Sequence, residues 1–411
     1  TKGMREKWSH EMSPADTFSK TGINFYDFNT LFHLLSIRDS DIIPRVGTIL
    51  FMPCYINYIL SGQMLNETTI ASTSQLLNVK GNSINSEIAA KLNLDPKVFG
   101  TIIPAGRILG QYREAVPADR NAAAASGDHP AEQPGTAAKG DHPVNGNGER
   151  SGNGEVDVVT VCAHDTACAV TAIPSEDDEF AFIATGTWCI VGTVAQQPVT
   201  TEYALDEGFT NERAYLDRYR VLKNINGLWL VQGLKASFGE QFDYNEIEKM
   251  AGQSGCTNLV YPENEMFYNP DDMKAAFNRF FDNTGQPPLS EPADYFKCAY
   301  DSLCMAFRLN MEKLEQMMGR TFPTIHLTGG GCQSEYLSQQ TASICERKVV
   351  SGPVEGATIG NMLIQAIAAG AVKNLDEARQ IVRDSFDVRV YQPEPANSPT
   401  KERFEYFKKL K

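Results

Sequence analysis

An α/β protein of two domains is what the sequence predicts, and three observations carry that expectation. Strand-like runs alternate with helical patterns through the second half of the chain, small-residue turns stand between them, and 411 residues exceed what one hydrophobic core usually fills. The strand-like runs are short and rich in β-branched and aromatic residues, as in a sheet buried on both faces.

Residues 1–113 read as helical patterns separated by short turns; in NTLFHLLSI, Leu31, Leu34 and Leu35 fall on one face. No Gly-rich phosphate loop occurs there. From Pro117 to Glu155 large apolar side chains almost vanish, so the segment has too little to bury to offset its ordering entropy and reads as a flexible insertion. It repeats Gly-Asp-His-Pro at 127–130 and 140–143, a pattern open to two readings, a metal-binding tract or a low-complexity duplication; the lack of further ligands nearby favours duplication.

After the insertion VDVVTVCA predicts a strand, AVTAI a short helix, and EFAFIATG and TWCIVGTV two further strands. RYRVLKNI predicts another strand, running into GLWLVQGLKASF. DSLCMAFRLNMEKLEQMMG predicts an amphipathic helix with Leu303, Phe307, Leu314 and Met317 or Met318 toward the core. PTIHLT is a strand, Gly329-Gly330-Gly331 a turn, and a helix starts near Ser334. KVVSGP and the helix IGNMLIQAIAAGAV close the unit.

Composition narrows the function. Hydrophobic residues at 42% and charged residues at 21% are ordinary for a soluble globular chain. A net charge of −14 argues against nucleic acid or an anionic membrane as partner, since both require Lys/Arg patches. Nine cysteines without a C-x-x-C pair fit reduced thiols in a cytoplasm, and no apolar stretch is long and continuous enough to span a bilayer.

Three segments are able to carry chemistry. Gly329 to Gly331 permit close backbone approach to a ligand, or simply a tight strand-to-helix turn. ATGTW, from Ala184 to Trp188, places the hydroxyls of Thr185 and Thr187 in a turn able to donate to phosphate oxygens, or forms an ordinary hairpin. His164-Asp165-Thr166 ends a strand where ligands of α/β sheets gather; Asp165 there is either the cap of the next helix or a general base for a substrate hydroxyl. No Ser or Cys stands as an evident nucleophile.

The order of these pieces resembles the FGGY carbohydrate kinases, and within them the rhamnulokinase group. The matching segments are TGINFYDFNTLFHL, ILFMPCYINYILSG, ETTIASTSQLLN, AHDTACAV, TGTW, RYRVLKNINGLWLVQ, HLTGGGCQ and SGPVEGATIGNMLIQAIAAG, covering most of the chain outside the insertion. The resemblance implies two actin-like, ribonuclease-H-type domains, 1–172 and 173–411, with sugar and ATP between them and Mg²⁺ accompanying the phosphates. It implies Asp165 as catalytic base, His164, Asp165, Thr166 and Asn224 as sugar-binding residues, and Thr187, Gln232 and Gly330 as ATP-binding residues; metal ligands stay unassigned. The expected substrate is L-rhamnulose, with another ketose such as L-fuculose, or a non-catalytic binding protein, as alternatives.

Cys54 stands where the family usually carries Asp, and Ser334 where Asn usually follows G-G-G-C-Q. The family's opening strand and hairpin with its phosphate loop, and its W-G-V-D segment, would precede Thr1. The sequence therefore reads as N-terminally truncated with its first domain incomplete, and catalysis is expected to suffer more than folding.

Overall fold

A computed structural model describes residues 1–112, 156–395 and 398–411. The insertion expected at 117–155, with its Gly-Asp-His-Pro repeat, lies outside the described residues.

Two small sheets come first. β1 (Leu65–Glu67) pairs parallel with β2 (Thr101–Ile103), and β3 (Arg107–Gln111) pairs antiparallel with β4 (Asp157–Thr160) across a bulge between Ile108 and Gly110. Seven strands then form one sheet: β5 (Phe180–Thr185), β6 (Trp188–Ala195), β7 (Thr210–Arg213), β8 (Tyr219–Asn226), β9 (Thr324–Thr328), β10 (Lys348–Ser351) and β11 (Arg389–Tyr391). Their order is β11-β10-β9-β5-β6-β8-β7, with β5, β9 and β10 mutually parallel and β6, β7, β8 and β11 antiparallel to their neighbours. Ala184 pairs with Thr328, so β5 and β9 end side by side and the two glycine turns leave the sheet together.

Apolar burial falls into two large clusters. Trp8, Leu31, Phe32, Leu35, Ile88 and Phe99 centre one in the first hundred residues. The other packs the long helix Pro292–Met318 and its neighbours on one sheet face; Leu303, Phe307 and Leu314 are fully buried, while Met317 and Met318 are only partly so. The two regions meet at the edge strand β7: Asn211 donates to the Gly22 carbonyl at 3.0 Å, Asn24 to Leu205 O at 3.0 Å, and the Arg213 N–H to the Ser72 hydroxyl at 2.9 Å.

The opposite sheet face carries the helix Asp165–Thr171. Val170, with Ile173 just beyond the helix, packs on Phe180, Phe182, Val194 and Leu222. The helix Gly356–Ala368 lies against it so closely that a Cβ on Gly360 would overlap the Cys168 carbonyl oxygen. The glycine allows two helix backbones to touch, and this contact seats the helix that begins with Asp165.

His326, on β9, stands edge-on to Phe180 with ring centroids 5.3 Å apart. Burial pushes its imidazole down to about 3, with Lys348 and Arg379 adding to the shift. A histidine held neutral contributes stability that is fully present above its unfolded value near 6.5 and is lost as pH falls toward the folded value. The expected loss through this window is about 1.4 kcal/mol per pH unit. Urea midpoints between pH 6.5 and 4 should therefore fall more steeply in the parent than in His326→Phe; equal slopes would show that this histidine does not carry the dependence.

Candidate active site

β5, β9 and β10 deliver three turns to one end of the sheet, the carboxyl end at which α/β folds bind ligands. Gly186 and Thr187 turn β5 into β6. Their carbonyls accept the N–H groups of Leu228 at 2.9 Å and Trp229 at 3.2 Å, which fixes the hairpin against the helix Trp229–Ser237. Gly329, at φ 83°, follows β9; a side chain there would overlap the Thr185 carbonyl, so this position requires glycine for packing as well as for conformation. Beyond β10, the helix Gly356–Ala368 starts without a side-chain cap, leaving its first N–H groups toward the opening.

Two adjoining cavities occupy this end. One, about 400 Å³, is lined by Asp165, Thr185, Gly186, Gly330, Glu355 and Gly356, among others. The second, about 520 Å³, is lined by Thr187, Gln232, Tyr244, Glu248, Tyr300 and Ser334 among others. Gly186, Gly330 and Gln333 border both. The first offers backbone donors and a helix N-terminus, suited to phosphate; the second offers aromatic and amide groups, suited to a nucleoside.

Asp165 is the first residue of its helix, and the N-cap is His164, whose side chain makes no cap bond. The Asp165 carboxylate accepts the Thr166 N–H at 2.6 Å and the Thr166 hydroxyl at 3.3 Å, yet its side chain is 83% exposed and opens into the first cavity. It thus satisfies one free N–H of the helix while keeping an oxygen available. His164 Nδ1 lies 3.3 Å from Asp165 Oδ1. Burial depresses the His164 imidazole, and Arg220 lowers it further against the opposing charges of Glu212 and Asp165, so the ring is neutral at pH 7.

Thr187, Gln232 and Gly330 converge on the second cavity, with the Thr187 hydroxyl donating to Gln232 Oε1 at 3.2 Å. Asn224 stands apart from both walls. It lies opposite Ile190 in the β6–β8 register, beside the Tyr26 phenol, which burial pushes up to about 12. The two hydroxyls of ATGTW separate: that of Thr185 is buried and donates to the Thr328 carbonyl at 2.7 Å, so it is a structural bond rather than a phosphate donor.

The open N-terminus at Gly356 and Ala357 lies within the matching run SGPVEGATIGNMLIQAIAAG, and the sequence alone assigns it no role. The available signal was a helix start after Pro353 with no capping Ser, Thr, Asp or Asn. Ser334 caps the helix Glu335–Cys345 through the Leu337 N–H at 3.0 Å, which accounts for its residue type locally. Cys54 is buried and its Sγ accepts the Glu67 N–H at 3.2 Å; burial lifts its thiol to about 11, so it is unreactive packing.

Among the described residues no three His, Cys, Asp or Glu side chains gather as a metal cage. Glu355 stands exposed on the wall of the first cavity.

The C-terminal domain of the FGGY family of carbohydrate kinases matches residues 181–369, and the N-terminal domain of that family matches residues 1–122. A rhamnulokinase of Lactiplantibacillus plantarum is 31% identical over 92% of this chain and 71% of its own length. One of Bacillus subtilis is 29% identical over 96% of this chain and 75% of its own length. In fold the chain is similar to a xylulose kinase from Lactobacillus acidophilus, with a TM-score of 0.72 at 13% identity, covering 100% of this chain and 76% of that one. It is similar also to glycerol kinase from Plasmodium falciparum, with a TM-score of 0.74 at 13% identity, covering 99% of this chain and 76% of that one. A relative at 31% identity across nearly the whole chain, together with matches to both of the family's domains, places it: this chain belongs to the FGGY family of carbohydrate kinases.

Proposed function

We propose that this chain transfers the γ-phosphoryl group of ATP to a ketose hydroxyl, with L-rhamnulose as substrate and L-rhamnulose 1-phosphate as product. The observation that carries the reading is the exposed Asp165 carboxylate in a glycine-lined cavity that adjoins a nucleoside-sized one. Rhamnulokinases among the relatives supply the choice of sugar.

Asp165 takes the proton of the sugar hydroxyl as its oxygen bonds to the γ-phosphorus, and the bond to the β-phosphate oxygen breaks with its electron pair leaving on ADP. His164, neutral, hydrogen-bonds sugar hydroxyls without competing for a proton at pH 7. Thr166, on the same cavity wall, completes the sugar contacts in this reading. The N–H groups around Gly186, Gly330 and Gly356 face the phosphates, and Thr187 and Gln232 hold the nucleoside side. Mg²⁺, bound with ATP, neutralises phosphate charge.

An assay coupled to ADP release, run with L-rhamnulose and with L-fuculose, tests the proposal. Turnover that prefers L-rhamnulose supports it, preference for L-fuculose moves the assignment to that sugar, and binding of both ligands without ADP release identifies a non-catalytic protein.

Gly330 allows a clean test of the nucleotide side. A Cβ there would meet nothing within 4 Å, so Gly330→Val should fold as the parent does while its side chain projects into the space shared by both cavities. ATP affinity measured by calorimetry should fall at least about tenfold, equivalent to about 1.4 kcal/mol, with sugar affinity little changed. Unchanged ATP affinity would remove Gly330 from the site.

A further inference from the structure

Glu67 is a carboxylate 1% exposed, outside both cavities and unused by the mechanism above. It ends β1 and stands at the N-cap of the helix Thr68–Thr73. Its Oε1 accepts the Thr69 N–H at 2.9 Å; its Oε2 accepts the Ile70 N–H at 3.2 Å and the Thr69 hydroxyl at 2.5 Å. Capping alone does not explain a glutamate, because Ser, Asn and Asp are the residues favoured at this position and reach the same N–H groups with shorter side chains. The longer side chain gains one further bond. Oε2 also accepts the N–H of Ala163 at 3.0 Å, 96 positions along the chain.

Ala163 precedes His164 and Asp165 directly. On the other side of these two residues the loop is held by the Ala167 and Cys168 N–H groups, which donate to the His164 carbonyl at 3.0 and 3.2 Å. The tether to Glu67 fixes the near side. A segment carrying an exposed functional carboxylate is thereby held at both ends, one of them by a side chain from the first hundred residues.

We propose that Glu67 is a positioning residue for phosphoryl transfer, acting through the Ala163 backbone to seat Asp165. The proposal rests on the reading of Asp165 as the base. A displacement of about 1 Å in a reacting group is able to cost about 10²-fold in rate, so loss of the tether should be visible in kcat without loss of nucleotide binding.

Glu67→Asp separates the two roles. It keeps the charge and the length suited to an N-cap, and is one methylene short of Ala163. In the full chain it should retain a thermal midpoint near the parent's and the parent's ATP affinity. Amide exchange across residues 161–166 should become at least about tenfold faster, and kcat should fall about 10- to 100-fold. Glu67→Gln, equal in length with one acceptor oxygen in place of two, provides the same pair of readouts should the Asp variant unfold. Faster exchange with a parent-like kcat, or parent-like exchange in both variants, overturns the proposal while leaving the kinase reading intact. A parent that shows no sugar-dependent ADP release overturns the kinase reading, and this role with it.

Discussion

Asp165→Asn should lower sugar-dependent ADP release by about 10²–10⁴-fold, the range typical for loss of a general base. The amide keeps the shape of the carboxylate and its oxygen is still able to accept the Thr166 N–H now held at 2.6 Å, so the helix start should survive. What it lacks is an oxygen basic enough to take the proton of the sugar hydroxyl. ATP affinity should stay near the parent's, because Thr187, Gln232 and Gly330 lie on the adjoining cavity. The decisive comparison is kcat against ATP affinity in one preparation: near-normal turnover in the Asn variant would return Asp165 to a purely local role at its helix terminus.

The second large effect is expected at Gly360. A valine there would drive a Cβ bearing two methyl groups into the Cys168 carbonyl and force the helix Gly356–Ala368 away from the helix Asp165–Thr171. Overpacking of this kind costs about 1–3 kcal/mol when the surroundings are able to yield; here the first obstacle is backbone, which yields less than a side chain. Unfolding monitored by circular dichroism should show a clear fall in midpoint, and any folded fraction should be impaired in turnover, since the displaced helix also contributes Gly356 to the phosphate-side wall. An unchanged midpoint would mean that the two helices separate without penalty.

Much of this architecture was legible in the sequence because its signals are local. EFAFIATG, TWCIVGTV, RYRVLKNI and PTIHLT are compact β-branched and aromatic runs punctuated by glycine, and each became a strand of the large sheet. NTLFHLLSI placed Leu31, Leu34 and Leu35 inside for the same reason. The parts that were not legible depend on partners far along the chain. Nothing in ATGTW tells that the Thr185 hydroxyl is spent on Thr328 while Thr187 remains exposed; the distinction follows from β5 pairing with β9. Nothing in ETTIAST tells that its glutamate reaches Ala163. Asn224 was placed among site residues by resemblance, and the backbone register sets it one strand away from the cavity wall, beside Tyr26.

The contact between the helices at 165–171 and 356–368 also has a consequence in time. A ribosome makes the strand and helix around Asp165 well before it makes β9, β10 or Gly360, and a chain emerging N-terminus first has only its earlier residues to fold with. Until β9 arrives, β5 has a neighbour on one side only, and until Gly360 arrives the Cys168 carbonyl lacks the helix that lies against it. The nascent chain therefore carries Asp165, through most of the synthesis that follows it, on a helix still missing the contact that Gly360 permits, and a product ending before Gly360 contains Asp165 without that contact.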